Sequence, residues 1–396
     1  MDFNLTDEQK GFRKEFADFF QEEMAKAPKN MGHAYENDEA FAFHRYMMKR
    51  LGEKGWIALS WPKAYGGSER PIIDQYIFNR VQAEHGAPGI DGFGVQMFGP
   101  TLLVAASEEQ KQRLLPPIAR GEEVYCQGWS EPNSGSDLAS LKTTAKREGD
   151  HYIINGQKIW NTGGNRADRM FMLARTDPNE ARGKGVSIFT LSMKLEGIEV
   201  RPIEYMDGRG EVYNYNEVFF TDVVVPVEDR IGAENAGWII TRDTMNFERS
   251  GVGHFIAARR IFEKVINYAK THKRGGRLLS EDGVIRYKLA ELYTELEAQE
   301  TIAVRVAWLQ DMGGRQFPPH YASCSKVMGT ELVQKATTLA TEVLGMYGQV
   351  SRSDWAPIKG IVENYMMCVG ANIYAGSNEI QRNITAWAGL GLPRFS

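Results

Sequence analysis

The sequence predicts an α+β fold in which helices precede and follow a small central β-region. Three observations predict it. Apolar residues recur at helical spacing through the first third. From about residue 123, short runs rich in β-branched and aromatic residues are separated by polar, glycine-rich loops. Helical spacing then returns from about Gly237 to the end. The expected division is a helical domain over 1–122, a β-domain over 123–233 and a helical domain over 234–396.

Each element has a local reason. Thr6 followed by Gln9 reads as a capping box, and Phe12, Phe16, Phe19 and Phe20 then mark one buried helical face. Breaks rich in glycine and proline follow at Tyr65-Gly66-Gly67 and from Gly86 to Gly94, and an amphipathic stretch runs from Glu108 to Ile118. In the middle, His151–Trp160 reads as two strands joined by an Asn155-Gly156 turn. Further strands are expected at 170–175, 186–193, 198–203 and 217–220, with closure at Val223-Val224-Val225-Pro226. In the last part Ala257, Ile261, Val265 and Tyr268 fall on one helical face, followed by Leu289, Leu292 and Leu296 and later Val333, Leu339 and Val343.

Composition excludes several classes. The chain of 396 residues is 42% hydrophobic and 25% charged, which suits a soluble enzyme. Its net charge of −4 gives no bulk attraction to nucleic acid or an anionic membrane. No apolar run approaches the roughly 18 residues of a membrane span. The N-terminus has neither a basic nor an apolar leader region, so a cytoplasmic location is expected. Three cysteines form no CxxC pair, and seven scattered histidines offer no ligand spacing, so no metal is expected. GxGxxG, the phosphate-binding P-loop and GxSxG are absent.

Two stretches carry the chemistry. Tyr125-Cys126-Gln127-Gly128-Trp129-Ser130-Glu131-Pro132-Asn133-Ser134-Gly135-Ser136-Asp137 offers hydroxyls and main-chain N–H groups in a turn. Asn155-Gly156-Gln157-Lys158-Ile159-Trp160-Asn161-Thr162-Gly163 offers an indole to cover an aromatic ring and a hydroxyl for its edge. Together with Tyr374-Ala375-Gly376-Ser377-Asn378-Glu379-Ile380-Gln381-Arg382, they resemble the acyl-CoA dehydrogenase family in order and separation over nearly the whole chain.

The resemblance implies an N-terminal helical domain, a central β-domain and a C-terminal four-helix bundle, with FAD as cofactor and an acyl-CoA as substrate. It implies that Gln127, Trp129, Ser130, Trp160 and Thr162 line the flavin ring, that Ser136 faces flavin and CoA, and that Ser377 and Glu379 approach FAD. Asn246, Phe247, Glu248 and Arg249 match a segment bordering the thioester. It further implies a homotetramer and an electron-transferring flavoprotein as acceptor.

The base departs from the commonest pattern. Where many members carry it, this chain has Ala375, which cannot take a proton. Phe247-Glu248-Arg249 resembles the arrangement of the isovaleryl and long-chain enzymes, which makes Glu248 a candidate for α-proton abstraction. Asp91 is a second candidate, in a segment that resembles the floor of the family's acyl pocket. A carboxylate there is costly unless used, although a turn aspartate with local main-chain bonds is the plainer reading. If used, it could drive a 1,4-elimination on an alicyclic substrate such as cyclohex-1-ene-1-carboxyl-CoA.

The cofactor-phosphate motif also departs. The usual R-x-x-F-G run is His272-Lys273-Arg274-Gly275-Gly276, and the usual glutamine position is Gly283. Arg274 or Arg277 could still supply charge to a pyrophosphate. A partner subunit of a heteromeric dehydrogenase and an acyl-CoA oxidase therefore stay open as alternatives.

Overall fold

The computed structural model describes residues 4–29, 31, 34–35, 37–204, 215–248, 252–313, 318–351 and 353–394, without the side chains of 243–248, 252, 254 and 313. The helices are α1 (Asp7–Met24), α2 (Asp38–Glu53), α3 (Ile72–His85), α4 (Gly99–Ala105), α5 (Glu108–Ala119), α6 (Gly237–Glu248), α7 (Val252–Thr271), α8 (Gly283–Gly313), α9 (Pro319–Leu344), α10 (Ile361–Ala371) and α11 (Asn378–Ile384). The strands are β1 (Tyr125–Gly128), β2 (Thr144–Glu148), β3 (His151–Lys158), β4 (Arg169–Arg175), β5 (Val186–Ser192), β6 (Ile198–Pro202), β7 (Asn216–Pro226), β8 (Arg230–Ile231), β9 (Lys273–Arg274) and β10 (Arg277–Leu278). The order is helices, sheet, helices, as the sequence predicts.

One compact unit gathers Met1–Gln21, Ile72–Ala87 and Arg249–Ser396. The Thr6–Gln9 capping box forms in both directions, with N···O distances of 3.0 and 3.2 Å. Phe16 and Phe20 are fully buried against Phe78 of α3, with ring centroids 5.2 and 5.7 Å away. Asp311 of α8 accepts main-chain bonds from Ile72 and Ile73 and so caps α3. Helices α7 to α10 form the bundle, in which α7 buries Phe255, Ala258, Ile261, Phe262 and Val265. Ala257, expected on that face, is exposed, because Ala258 takes the inward place.

The second unit gathers Glu22–Pro71 and Pro88–Glu248. Its eight-stranded sheet has the order β6-β7-β3-β2-β4-β5-β8, with β1 parallel to β4. One face buries Tyr152, Ile154, Val218, Phe220 and Phe189 in a common core. On β4 the other face carries Phe171, which stacks on Phe98 of a π-helical turn, Phe93–Phe98, that leads into α4. Edge strand β6 ends in Pro202 and carries Arg201, which pairs with Glu199 and covers the Phe219 ring.

One expected turn is corrected. Asn155-Gly156 does not join two strands; it lies inside the single strand β3 opposite a bulge of β7, where Asn155 faces both Thr221 and Asp222 and Asp222 has φ of 49°. Asn155 and Asp222 exchange two hydrogen bonds of 2.9 Å across the bulge. Gly156 has φ of +145°, and a Cβ there would meet Thr143. The same dipeptide that makes a hairpin turn thus serves a position opposite a bulge in the neighbouring strand. Strand β7 also runs on through Val223–Pro226 instead of ending at Phe220.

Gly99 opens α4 against the Trp61 ring, where a Cβ would fall inside the indole's van der Waals envelope. Gly99→Ala is expected to lower stability by about 1–3 kcal/mol through overpacking, measured as a shift in the urea midpoint.

Candidate functional site

The two central motif stretches meet beside the sheet. β1 lies parallel to β4 and exits at Gly128 into the loop 129–137, while β3 ends at Lys158. Lys158 is fully buried; its Nζ donates to the Trp129 carbonyl at 3.1 Å and to Glu131 Oε1 at 2.8 Å. The Glu131 carboxylate also accepts the main-chain N–H groups of Lys142 and Thr143, at 2.6 and 2.8 Å. Ile159 N donates to Ser130 O at 2.9 Å, and Asn161 Nδ2 donates to Gln127 O at 2.6 Å. Four bonds therefore join one motif to the other.

The charges in this junction are shaped by burial. Burial alone would raise the Glu131 carboxyl, but the Lys158 ammonium and the donated hydrogen bonds hold it below the usual carboxylate range. Burial brings the Lys158 ammonium down to about 8, against the pull of Glu131. The pair is charged at neutral pH.

The junction presents aromatic and polar groups. Trp160 has φ of +64°, a left-handed conformation that a bulky residue rarely adopts, and its indole is 57% exposed. Trp129 is buried edge-on against Phe171, and its Nε1 has no hydrogen-bond partner among the described residues. Asn161 Oδ1 is likewise buried without one. Gln127, Ser130 and Thr162 are half-buried, and Ser136 is exposed. Sequence reasoning placed Gln127, Trp129, Ser130, Trp160 and Thr162 together, and they do lie in this one junction. It missed Glu131, Lys158 and Asn161. The signal was present: Tyr152, Ile154 and Lys158 share the inward parity of β3, which sets a lysine among core positions.

Asp91 is buried at the head of the Phe93–Phe98 turn. Its Oδ1 accepts Phe93 N at 3.2 Å; its Oδ2 accepts Gly94 N at 3.0 Å and Tyr125 N at 2.7 Å. Burial pushes the carboxyl up to about 7, opposed by those three main-chain donors. The buried Cys126 thiol and Tyr35 phenol are raised in the same neighbourhood, first by burial and then by the Asp91 charge. The side chains of Asn246, Phe247 and Glu248, and all of Arg249, lie outside the described residues; Glu248 is the last residue of α6.

In the other unit, the segment before α11 is held by side chains of α9 and α11. Ala375 and Gly376 both have positive φ, of 54° and 79°. Asn378 Oδ1 accepts Lys326 Nζ at 2.8 Å and Thr330 Oγ1 at 3.2 Å. Gln381 donates to the carbonyls of Ala375 and Gly376, and Ser323 donates to Gln381. Ser377 caps α11, and Glu379 is exposed in its first turn, its carboxyl held low by its own N–H and the Ser377 hydroxyl. Arg274 is committed elsewhere: its Nη2 donates to Val343 O at 2.7 Å, in the last turn of α9. Arg277 is exposed on the same hairpin.

Comparisons agree with this architecture. Family models for the acyl-CoA dehydrogenase N-terminal, middle and C-terminal domains match residues 6–122, 126–223 and 235–390. Acyl-CoA dehydrogenase FadE26 of Mycobacterium tuberculosis is 33% identical over 100% of this chain and 99% of its own. A chain of the ChsE4-ChsE5 complex from Mycobacterium tuberculosis superposes with a TM-score of 0.88 at 32% identity, covering 100% of both chains. A Tcur3481-Tcur3483 steroid ACAD superposes with a TM-score of 0.86 at 30% identity, again over 100% of both.

The Asp91 carboxyl is raised in the fold from 3.8 to about 7. A raised acid contributes stability that is complete below its unfolded value and is lost as pH rises through the folded one. Asp91→Asn is expected to remove this group's fall in stability between about pH 4 and pH 7. Because the amide cannot serve all three donors, it should also cost about 1–3 kcal/mol at pH 5. Urea unfolding at a series of pH values checks both.

Proposed function

As the chain belongs to the acyl-CoA dehydrogenase family, flavin-dependent oxidoreductases that act on CH–CH groups, we propose that it is an FAD-dependent dehydrogenase of a bulky, ring-bearing acyl-CoA, working beside a second chain of the same family. We include in this proposal the domain division at 122/123 and 233/234. The observation that carries it is the junction of the two motifs. The residues there fit a flavin ring. An exposed indole on a strained residue offers an aromatic face, and the buried Trp129 Nε1 and Asn161 Oδ1 offer a donor and an acceptor to its edge. Gln127, Trp129, Ser130, Trp160 and Thr162 would hold the ring, Ser136 would face it and the CoA, and Ser377 and Glu379 would approach the rest of FAD. When bound, FAD supplies the hydride acceptor.

The chain's own task is the proton. A thioester α-proton is too weakly acidic for a carboxylate in water, so hydrogen bonds to the carbonyl must stabilise the developing enolate. Glu248 is the proposed base, with Asn246, Phe247 and Arg249 bordering the thioester. Two observations support it. Ala375 stands where many relatives carry the base, and both Asp91 oxygens are occupied by main-chain donors. One observation favours a second reading. The Asp91 carboxyl titrates near neutrality and is fully desolvated, so it is poised to take a γ-proton from an unsaturated alicyclic thioester in a 1,4-elimination. The ring-bearing substrate class is supported by the similar protein described as a steroid ACAD.

A second chain is proposed because the phosphate-side motif is altered. Arg274 caps α9, and the glutamine position is Gly283, so of the phosphate-side candidates a second copy of this chain would offer only the exposed Arg277. A similar chain comes from a complex of two named proteins, ChsE4 and ChsE5. Tyr365, Val369 and Ile373 are exposed at successive turns of α10 and just beyond it, and Trp355 is 78% exposed, which suits a subunit contact. The expected homotetramer thus gives way, in this reading, to a mixed assembly. An electron-transferring flavoprotein is the proposed acceptor. No described helix is long and apolar enough to cross a membrane.

The test is an anaerobic titration of the complete assembly that purifies with the chain, using cyclohex-1-ene-1-carboxyl-CoA and a saturated ring-bearing acyl-CoA and following the visible flavin band. Bleaching is expected with at least one of them, and a colourless or unreactive assembly would overturn the reading. Glu248→Gln is expected to slow bleaching by about 10²–10⁴-fold with flavin retained, whereas Asp91→Asn should bleach. The reverse outcome would assign the base to Asp91. Expressed alone, the chain should bind FAD weakly; a yellow, active assembly of this chain by itself would refute the mixed assembly.

A further inference from the structure

We infer that Lys158 and Glu131 are positioning residues for the flavin, a buried charged clamp that fixes how Trp129, Trp160 and Thr162 are presented. The inference rests on the flavin reading above, but it names two side chains outside the set that would touch the cofactor.

The clamp ties three segments at one point. Lys158 closes β3 onto the Trp129 carbonyl, and Glu131 holds both Lys158 and the main chain of Lys142 and Thr143. Trp160 follows two residues later, between two fixed neighbours. Ile159 is bonded to Ser130, and Asn161 is bonded to Gln127 and through its N–H to Asn216. A bulky residue keeps a left-handed conformation only where its surroundings over-determine it. The clamp is the strongest of those surroundings, because it is charged, buried and hydrogen-bonded.

Stability alone does not explain the pair. Burying two charges carries a desolvation penalty, and replacing a buried ion pair by neutral groups of similar volume often leaves stability unchanged or raises it. Removing one partner strands the other and is strongly destabilising. A purely structural pair and a positioning pair therefore differ in the double variant. Glu131→Gln keeps the side chain's shape and an acceptor for one of the Lys142 and Thr143 N–H groups, and Lys158→Met keeps the volume of the stem.

The experiment compares Lys158→Met, Glu131→Gln and the double variant with the wild type, each as the complete assembly that purifies with it. The deflavinated proteins are titrated with FAD, following flavin fluorescence, and their thermal midpoints are measured without FAD. Lys158→Met alone is expected to lower both the midpoint and FAD affinity. The double variant is expected to recover most of the midpoint lost in Lys158→Met, less the cost of one main-chain donor left without its carboxylate oxygen, while FAD affinity stays about 10–100-fold weaker, the range seen when the shell supporting a bound group is removed. A double variant that binds FAD like the wild type, or that fails to fold, would make the pair a stability element and overturn the inference. A wild type that binds no FAD would instead refute the flavin reading, and this inference with it.

Discussion

Strand β1 is four residues long, and the site depends on how its buried main chain is satisfied. A buried N–H without a partner costs about 1–3 kcal/mol, so a short strand leaving a sheet must find donors and acceptors beyond its ladder. Here carboxylates do that work. Asp168 accepts Val124 N at 2.9 Å, Asp91 accepts Tyr125 N at 2.7 Å, and beyond the loop Glu131 accepts Lys142 and Thr143. Three acids from three segments fix the path of the chain from β1 through the motif loop. Everything the site presents follows from that path.

The same device explains why the acids differ in charge. Asp91 has three main-chain donors and no cation, so burial dominates and its carboxyl rises toward neutrality. Glu131 has two main-chain donors and a buried lysine, so its carboxyl falls. The contrast comes from the Lys158 ammonium together with the shallower burial of Glu131. A carboxylate held by N–H groups alone can become neutral and keep the loop; one paired with a lysine cannot shed its charge without stranding a cation.

Much of the fold was legible in the sequence because it rests on local rules. The Thr6–Gln9 box, the phenylalanine face of α1 and the strands from Met170 onward all formed, since each depends on neighbours in the chain. The site was legible only as a list of motif residues, without the bonds that hold them. The motifs pointed to Trp160 and Thr162; strand parity marked Lys158 as buried, but its pairing with Glu131 was not legible, because that pair joins residues 27 apart. The Asn155-Gly156 dipeptide misled for a related reason. It has the right conformational freedom for a turn, and only the long-range pairing with β7 keeps it inside β3, opposite a bulge of that partner. The grouping of residues 72–87 with 249–396 has the same origin, in contacts that no local pattern announces.

The edge of the sheet has a consequence for how the protein tolerates crowding. Strand β6 ends in a proline and sets a glutamate and an arginine along its exposed side, with the arginine drawn over Phe219. An incoming strand would have to desolvate both charges and would lack a donor at Pro202. At the far side β8 is only two residues long. The two outermost strands of the sheet, β6 and β8, are therefore poor templates for an added strand.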